Sequence, residues 1–172
     1  MKFMAKTRLS GESGVTLIES MIAAVILLVG VIAIMRLMAV AVGQNLSQGD
    51  VQTRVSEYCE DKMEQLMALS YSDVSSNTTI FPPTTTGGVG LTPGGSSGTS
   101  GLASPVSGYS DYLDISGNLL SSSTGAYYER VWSVSQNAAA NLKTITVTVG
   151  ITDNTLIAAP TTTLVCLMTK LH

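Results

Sequence analysis

The sequence predicts an α+β chain, with a long N-terminal helix packed on a C-terminal antiparallel sheet. Three observations carry this. An uninterrupted apolar run, VTLIESMIAAVILLVGVIAIM, extends from Val15 to Met35. An amphipathic stretch without proline follows it to Ser70. The last third alternates apolar and polar residues with period two, as in Thr144-Ile145-Thr146-Val147-Thr148-Val149, which is the signature of a strand with one covered face. The implied organisation is a basic leader (1–14), a membrane-spanning segment (15–36), its amphipathic continuation (37–70), a Gly/Ser/Thr-rich connecting region (71–126) and the sheet (127–172).

The apolar run comes first. Glu19 is its only charge, and at about 1.5 Å per residue some 20 such residues cross a hydrocarbon core of roughly 30 Å. No other segment is apolar enough to surround it as a buried core helix. Lys2, Lys6 and Arg8 precede it, opposed only by Glu12, so the positive-inside tendency keeps residues 1–14 in the cytoplasm and sends the rest outward. A cleaved secretory signal fits less well. The run is longer than a usual apolar signal core, and the small-residue pair Ser13-Gly14 lies before it rather than after it.

Beyond Arg36 the pattern changes from uniform to striped. Val51, Val55, Cys59, Met63 and Leu66 recur at steps of four, four, four and three residues, one face of a helix, and Leu69 or Ser70 continues the line. Arg54, Glu57, Glu60, Asp61 and Glu64 occupy other faces. A helix continuous from Val15 to Leu69 would measure roughly 80 Å. From Tyr71 to Tyr109, Ser, Thr, Gly and Pro dominate, which predicts a long loop that buries little apolar surface. Strands follow at Tyr127–Val134, Thr144–Ile151 and Thr162–Met168, with turns at Gln136–Asn141 and Asp153-Asn154. Short returns imply antiparallel pairing, and the striped half of the helix is the only element large enough to cover the sheet.

Composition narrows the function. Charged residues make up only 12% of the 172 residues, aromatics 5% and hydrophobics 45%, with one histidine and a formal net charge of −3. The hydrophobic share excludes wholesale disorder. Nine Lys+Arg and a pI near 5.0 argue against nucleic acid as the primary partner. His172 reads as an exposed terminal residue, and two cysteines more than a hundred positions apart give no metal-ligand spacing. Gly87-Gly88-Val89-Gly90 lacks the strand, helix and lysine of a phosphate loop. No paired carboxylates and no nucleophile–base set stand in a usable context, so the sequence predicts no enzyme, no metal and no cofactor. Asn77-Thr78-Thr79 matches a glycosylation sequon, a pattern common by chance.

The junction before the apolar run is the most specific feature. Gly14-Val15-Thr16-Leu17-Ile18-Glu19, after a short basic leader and before an apolar helix, resembles the cleavage and methylation motif of type IV pilins and pseudopilins. The rest of the chain resembles a pilin as well: a long N-terminal helix, a connecting region and an antiparallel sheet. Within the class it is most similar to the minor pilins called the type IV pilus modification protein PilV group. That likeness is carried by Ser56-Glu57, the run Glu60–Leu66, Arg130–Val134 and Lys143–Val149. Val15 stands where the family usually has Phe, and the apolar helix lacks the proline common in major pilins, which suits a minor or priming subunit.

The resemblance implies a non-catalytic minor pilin. A prepilin peptidase would cut between Gly14 and Val15 and methylate the new amine of Val15. Membrane lipid would hold the single-pass precursor in the inner membrane, N-terminus in the cytoplasm. A pilus assembly platform would then pass it into a filament reaching through the periplasm to the cell exterior, where other pilin subunits cover its helix. Alternatives are a pseudopilin of a type II secretion system and a pilin-like adhesive or ligand-binding subunit. Glycine at position 14 offers the peptidase an unhindered backbone. Glu19 is expected to pair with the Val15 amine, within one subunit or between neighbours, and so to set register in assembly. Cys59 on the helix stripe and Cys166 on the last strand are either a disulfide stapling helix to sheet or two free thiols on apolar faces.

Overall fold

The computed structural model describes residues 16–152 and 159–170. The elements in order are helix α1 (Leu17–Met67), strand β1 (Gly94–Gly95), helix α2 (Gly98–Ala103) and strands β2 (Ser110–Leu113), β3 (Leu119–Leu120), β4 (Tyr128–Gln136), β5 (Leu142–Ile151) and β6 (Thr161–Thr169). The class is α+β, as expected. The chain divides into two compact units, Met1–Asn45 and Leu46–His172, and α1 contributes to both.

In the first unit α1 begins at a cap that the sequence spells out. The Thr16 carbonyl accepts the Glu19 N–H at 3.0 Å, and Thr16 Oγ1 accepts the same N–H at 3.4 Å. Thr16 thereby satisfies a donor that the first turn leaves open. Glu19 falls in that first turn, where the positive end of the helix dipole favours a carboxylate. Every described residue from Thr16 to Leu46 is exposed.

In the second unit the stripe behaves as its spacing predicts. Val55, Cys59 and Leu66 are fully buried, and Val51 and Met63 nearly so. They form one core with Ile145, Val147, Val149 and Ile151 of β5 and with Tyr128, Trp132 and Val134 of β4. At about 25 cal/mol per Å2 of apolar surface removed from water, this contact is the main favourable term for the unit.

The sheet is antiparallel with order β3-β2-β4-β5-β6, and β1 adds to β4 on the side that β2 occupies. β4 and β5 pair from Tyr128↔Ile151 to Gln136↔Lys143. Asn137 closes their turn: its side-chain oxygen accepts the Asn141 and Leu142 N–H groups, both at 3.1 Å. β5 and β6 pair without interruption from Leu142↔Thr169 to Gly150↔Thr161. The predicted Asp153-Asn154 turn lies outside the described residues.

The connecting region differs from the loop that its composition predicts. It contains β1, α2, β2 and β3, and α2 packs on the sheet face opposite α1. Gly101 of α2 sits against Val131, the Gly98 N–H donates to Thr148 Oγ1 at 2.7 Å, and Leu102 approaches Gly150. The reason is backbone rather than side-chain burial. Gly95 lies at φ +79°, and a Cβ there would sit 2.2 Å from the Trp132 carbonyl oxygen. Only glycine lets β1 approach β4 so closely.

Cys59 and Cys166 are both free thiols. Cys59 Sγ lies 3.7 Å from the Thr162 carbonyl oxygen, level with the start of β6. The same sulfur lies 3.5 Å from the carbonyl oxygen of Val147, the residue that pairs with Leu164, and no bond joins it to Cys166.

Candidate functional site

Two features stand out, one in each unit. In the first unit, the exposed helix from Leu17 to Asn45 carries only Glu19 and Arg36 as charges. Leu17 is 79% exposed, Leu27 68% and Leu37 73%, parts of one long apolar surface. α1 is long and apolar enough to cross a membrane. Glu19 makes no ion pair with another described residue, while Gly14 and Val15, the predicted cleavage site, lie outside the described residues, as does His172.

In the second unit a chain of charges runs from the core to the surface. Lys62 is fully buried on α1, and its Nζ lies 2.7 Å from Asp111 Oδ2 of β2. The ammonium also donates to the Thr78 carbonyl and to Gln65 Oε1, and sits 4.2 Å from the centre of the Trp132 ring. Arg130 of β4 grips the same Asp111 with two bonds, Nε to Oδ1 at 2.6 Å and Nη2 to Oδ2 at 2.9 Å. Its Nη1 reaches Asp61 Oδ2 at 3.0 Å, where the side chain is 56% exposed. Two cations and two carboxylates thus balance.

Burial drives the Lys62 ammonium down and the Asp111 charge holds it partly up, leaving it at about 8. Asp111 accepts three charged donors, one from Lys62 and two from Arg130. The arrangement is a fastening. It ties α1 to the Thr78 segment, β2 and β4, and both partners of each buried pair are satisfied. The surface end opens into a cleft of about 540 Å3 lined by residues including Tyr58, Gln65, Phe81 and Leu119.

Lys143, on the inward row of β5, makes a second, simpler fastening. Its Nζ donates to the carbonyls of Tyr71 at 2.7 Å and Leu91 at 2.8 Å, holding both ends of the first connecting loop. Burial pushes this ammonium down as well, while Asp73 pulls it up. Within that loop, burial raises the Asp73 carboxyl, but bonds from the Ser76 hydroxyl and from the Ser76 and Ser75 N–H groups outweigh it and leave the group below its ordinary value.

Lys62, Arg130 and Lys143 fall within the segments that carry the resemblance, and Asp61 lies on a polar face of the helix, but neither place in the sequence shows that they pair. A signal was present. Arg130 shares its alternation row with Tyr128, Trp132 and Val134, and Lys143 shares its row with Ile145 and Val147. A charge on an inward row calls for a buried partner. Asp111 had no such flag, because β2 is only four residues long and lies in the low-complexity region. Among the described residues no group of three or more His, Cys, Asp or Glu could hold a metal ion. No protein-family model matches the chain, and no curated protein or solved structure matches it either.

Proposed function

We propose that the chain is a minor type IV pilin, a non-catalytic subunit anchored in the inner membrane as a precursor and then built into, or priming, a pilus. The observation that carries this reading is the helix surface from Leu17 to Leu46, apolar on all sides and exposed throughout. Such a surface is stable in lipid, where the helix satisfies its own backbone groups. On extraction it must be covered by other helices, and a filament core supplies them. The motif Gly14–Glu19 supports processing at the start of that helix, with Val15 as the methylated residue. The membrane, the peptidase, the assembly platform and other pilin subunits are then the partners in sequence. The charge fastenings suit a head that stays folded outside the cell.

Mass spectrometry of the N-terminus tests this, using protein from membranes and from sheared surface filaments. A chain beginning at methylated Val15 in the filament fraction is the expected result. The processed chain confined to membranes would assign it to a short periplasmic pseudopilus instead. An intact Met1 terminus with the peptidase present would overturn the reading.

A further inference from the structure

β6 ends the sheet, and among the described residues no strand pairs with its outer edge. Its nine residues, TTTLVCLMT, contain no charge and no proline, and its pairing with β5 has no bulge. Natural edge strands are usually blunted by one of these devices or by being short. β6 is left with none of them.

The hydrogen-bond phase of this edge is determined. The Lys170 N–H donates to the Asn141 carbonyl at 2.9 Å, so residue 170 faces β5. By alternation Thr162, Leu164, Cys166 and Met168 also bond toward β5, and the N–H and C=O groups of Thr161, Thr163, Val165, Leu167 and Thr169 point to the open side. Val165 and Leu167 are 62% and 59% exposed on one face. Leu164, Cys166 and Met168 on the other face touch the core yet remain only partly buried. An occupant of this edge must therefore bring apolar side chains on both faces and no charge.

We propose that the occupant is β6 of a second copy of this chain, antiparallel, with Val165 opposite Val165. Only this register uses the whole strand. It places Thr163 against Leu167 and Thr161 against Thr169 in hydrogen-bonded positions, and Leu164 against Cys166 and Thr162 against Met168 in the positions between them. The open backbone groups then meet one another, and in most pairs a bulky side chain meets a smaller one. Pro160 falls opposite Lys170, just beyond each end of the paired segment. The contact is two-fold and self-complementary, so it closes as a pair and does not grow into a fibre. It is independent of how the apolar helix is covered.

The test uses the full chain in detergent micelles, with two cysteine-restricted forms mixed and mildly oxidised. One form carries Cys59→Ser and so retains only Cys166. The other carries Cys59→Ser, Cys166→Ser and Leu164→Cys. The expected result is a mixed disulfide dimer in excess over same-chain dimers, because positions 164 and 166 face each other in a non-hydrogen-bonded pair. Adding Val165→Pro to both forms removes an N–H that points only to the open edge, and Val165→Lys sets like charges against each other. Both should abolish the mixed dimer while Trp132 fluorescence reports an intact core. Absence of the mixed dimer would overturn the proposal. So would a mixed dimer that survives Val165→Lys, since contacts through the apolar helix would then account for it.

Discussion

Lys62 is the residue on which the second unit turns. Its ammonium is buried between an aspartate and a tryptophan ring, where an unpaired charge could not be tolerated. Asp111→Ala would leave Lys62 and part of Arg130 without a counter-charge and should lower stability by about 3–5 kcal/mol, read from denaturant unfolding followed by the single, fully buried Trp132. The same group predicts a pH dependence. Lys62 holds its proton up to about 8 in the folded chain and to its ordinary 10.5 when unfolded. Between those values the unfolded chain binds more protons, so stability rises with pH from about 8 to about 10. Lys143, also lowered by burial, adds in the same direction. Opposition sets in above about 9, where burial raises the Cys59 thiol, and grows above about 10 with the Tyr109 and Tyr128 phenols, because the folded chain then retains protons that the unfolded chain loses. Unfolding midpoints at pH 7.5 and 9.5 should increase in that order, and the increase should shrink in Lys62→Met.

At the scale of elements, legibility followed period. The stripe Val51 to Leu66 and the alternation Ile145 to Ile151 are written in the sequence at 3.6 and 2, because each element buries one face. Leu66→Ala should therefore cost about 2–5 kcal/mol, whereas Leu46→Ala, at a position 71% exposed, should leave the unfolding midpoint of the second unit unchanged. β1 and α2 were not legible. Gly94-Gly95 and Gly98–Ala103 carry no apolar period, and they are placed by contacts with β4 and β5 far along the chain. Low-complexity composition indicates little side-chain burial but says nothing of backbone pairing. Gly95→Ala tests this directly. The new methyl group would press on the Trp132 carbonyl in a left-handed backbone position, and a loss of more than about 1 kcal/mol is expected, again from denaturant unfolding.

At the scale of the whole molecule, the apolar helix was the most readable part. A span of residues without charge has few physical solutions, and Glu19 at its head is conspicuous for the same reason. Thr16, three residues before it, caps the helix by accepting the Glu19 N–H. On the pilin reading, Glu19→Ala leaves proteolytic processing intact and blocks incorporation. Immunoblots of membrane and sheared-filament fractions should find the mature chain only in the former.

Cys59 rests its sulfur 3.5 Å from the Val147 carbonyl oxygen, 88 residues later in the chain. That contact has a consequence for biosynthesis. At about 5–20 residues per second, the striped face of α1 is made roughly 4–18 s before the strand that covers it leaves the ribosome. During that interval the newborn chain presents a second sticky surface, distinct from the one suited to lipid. Vectorial emergence cannot relieve it, because the covering strands come last.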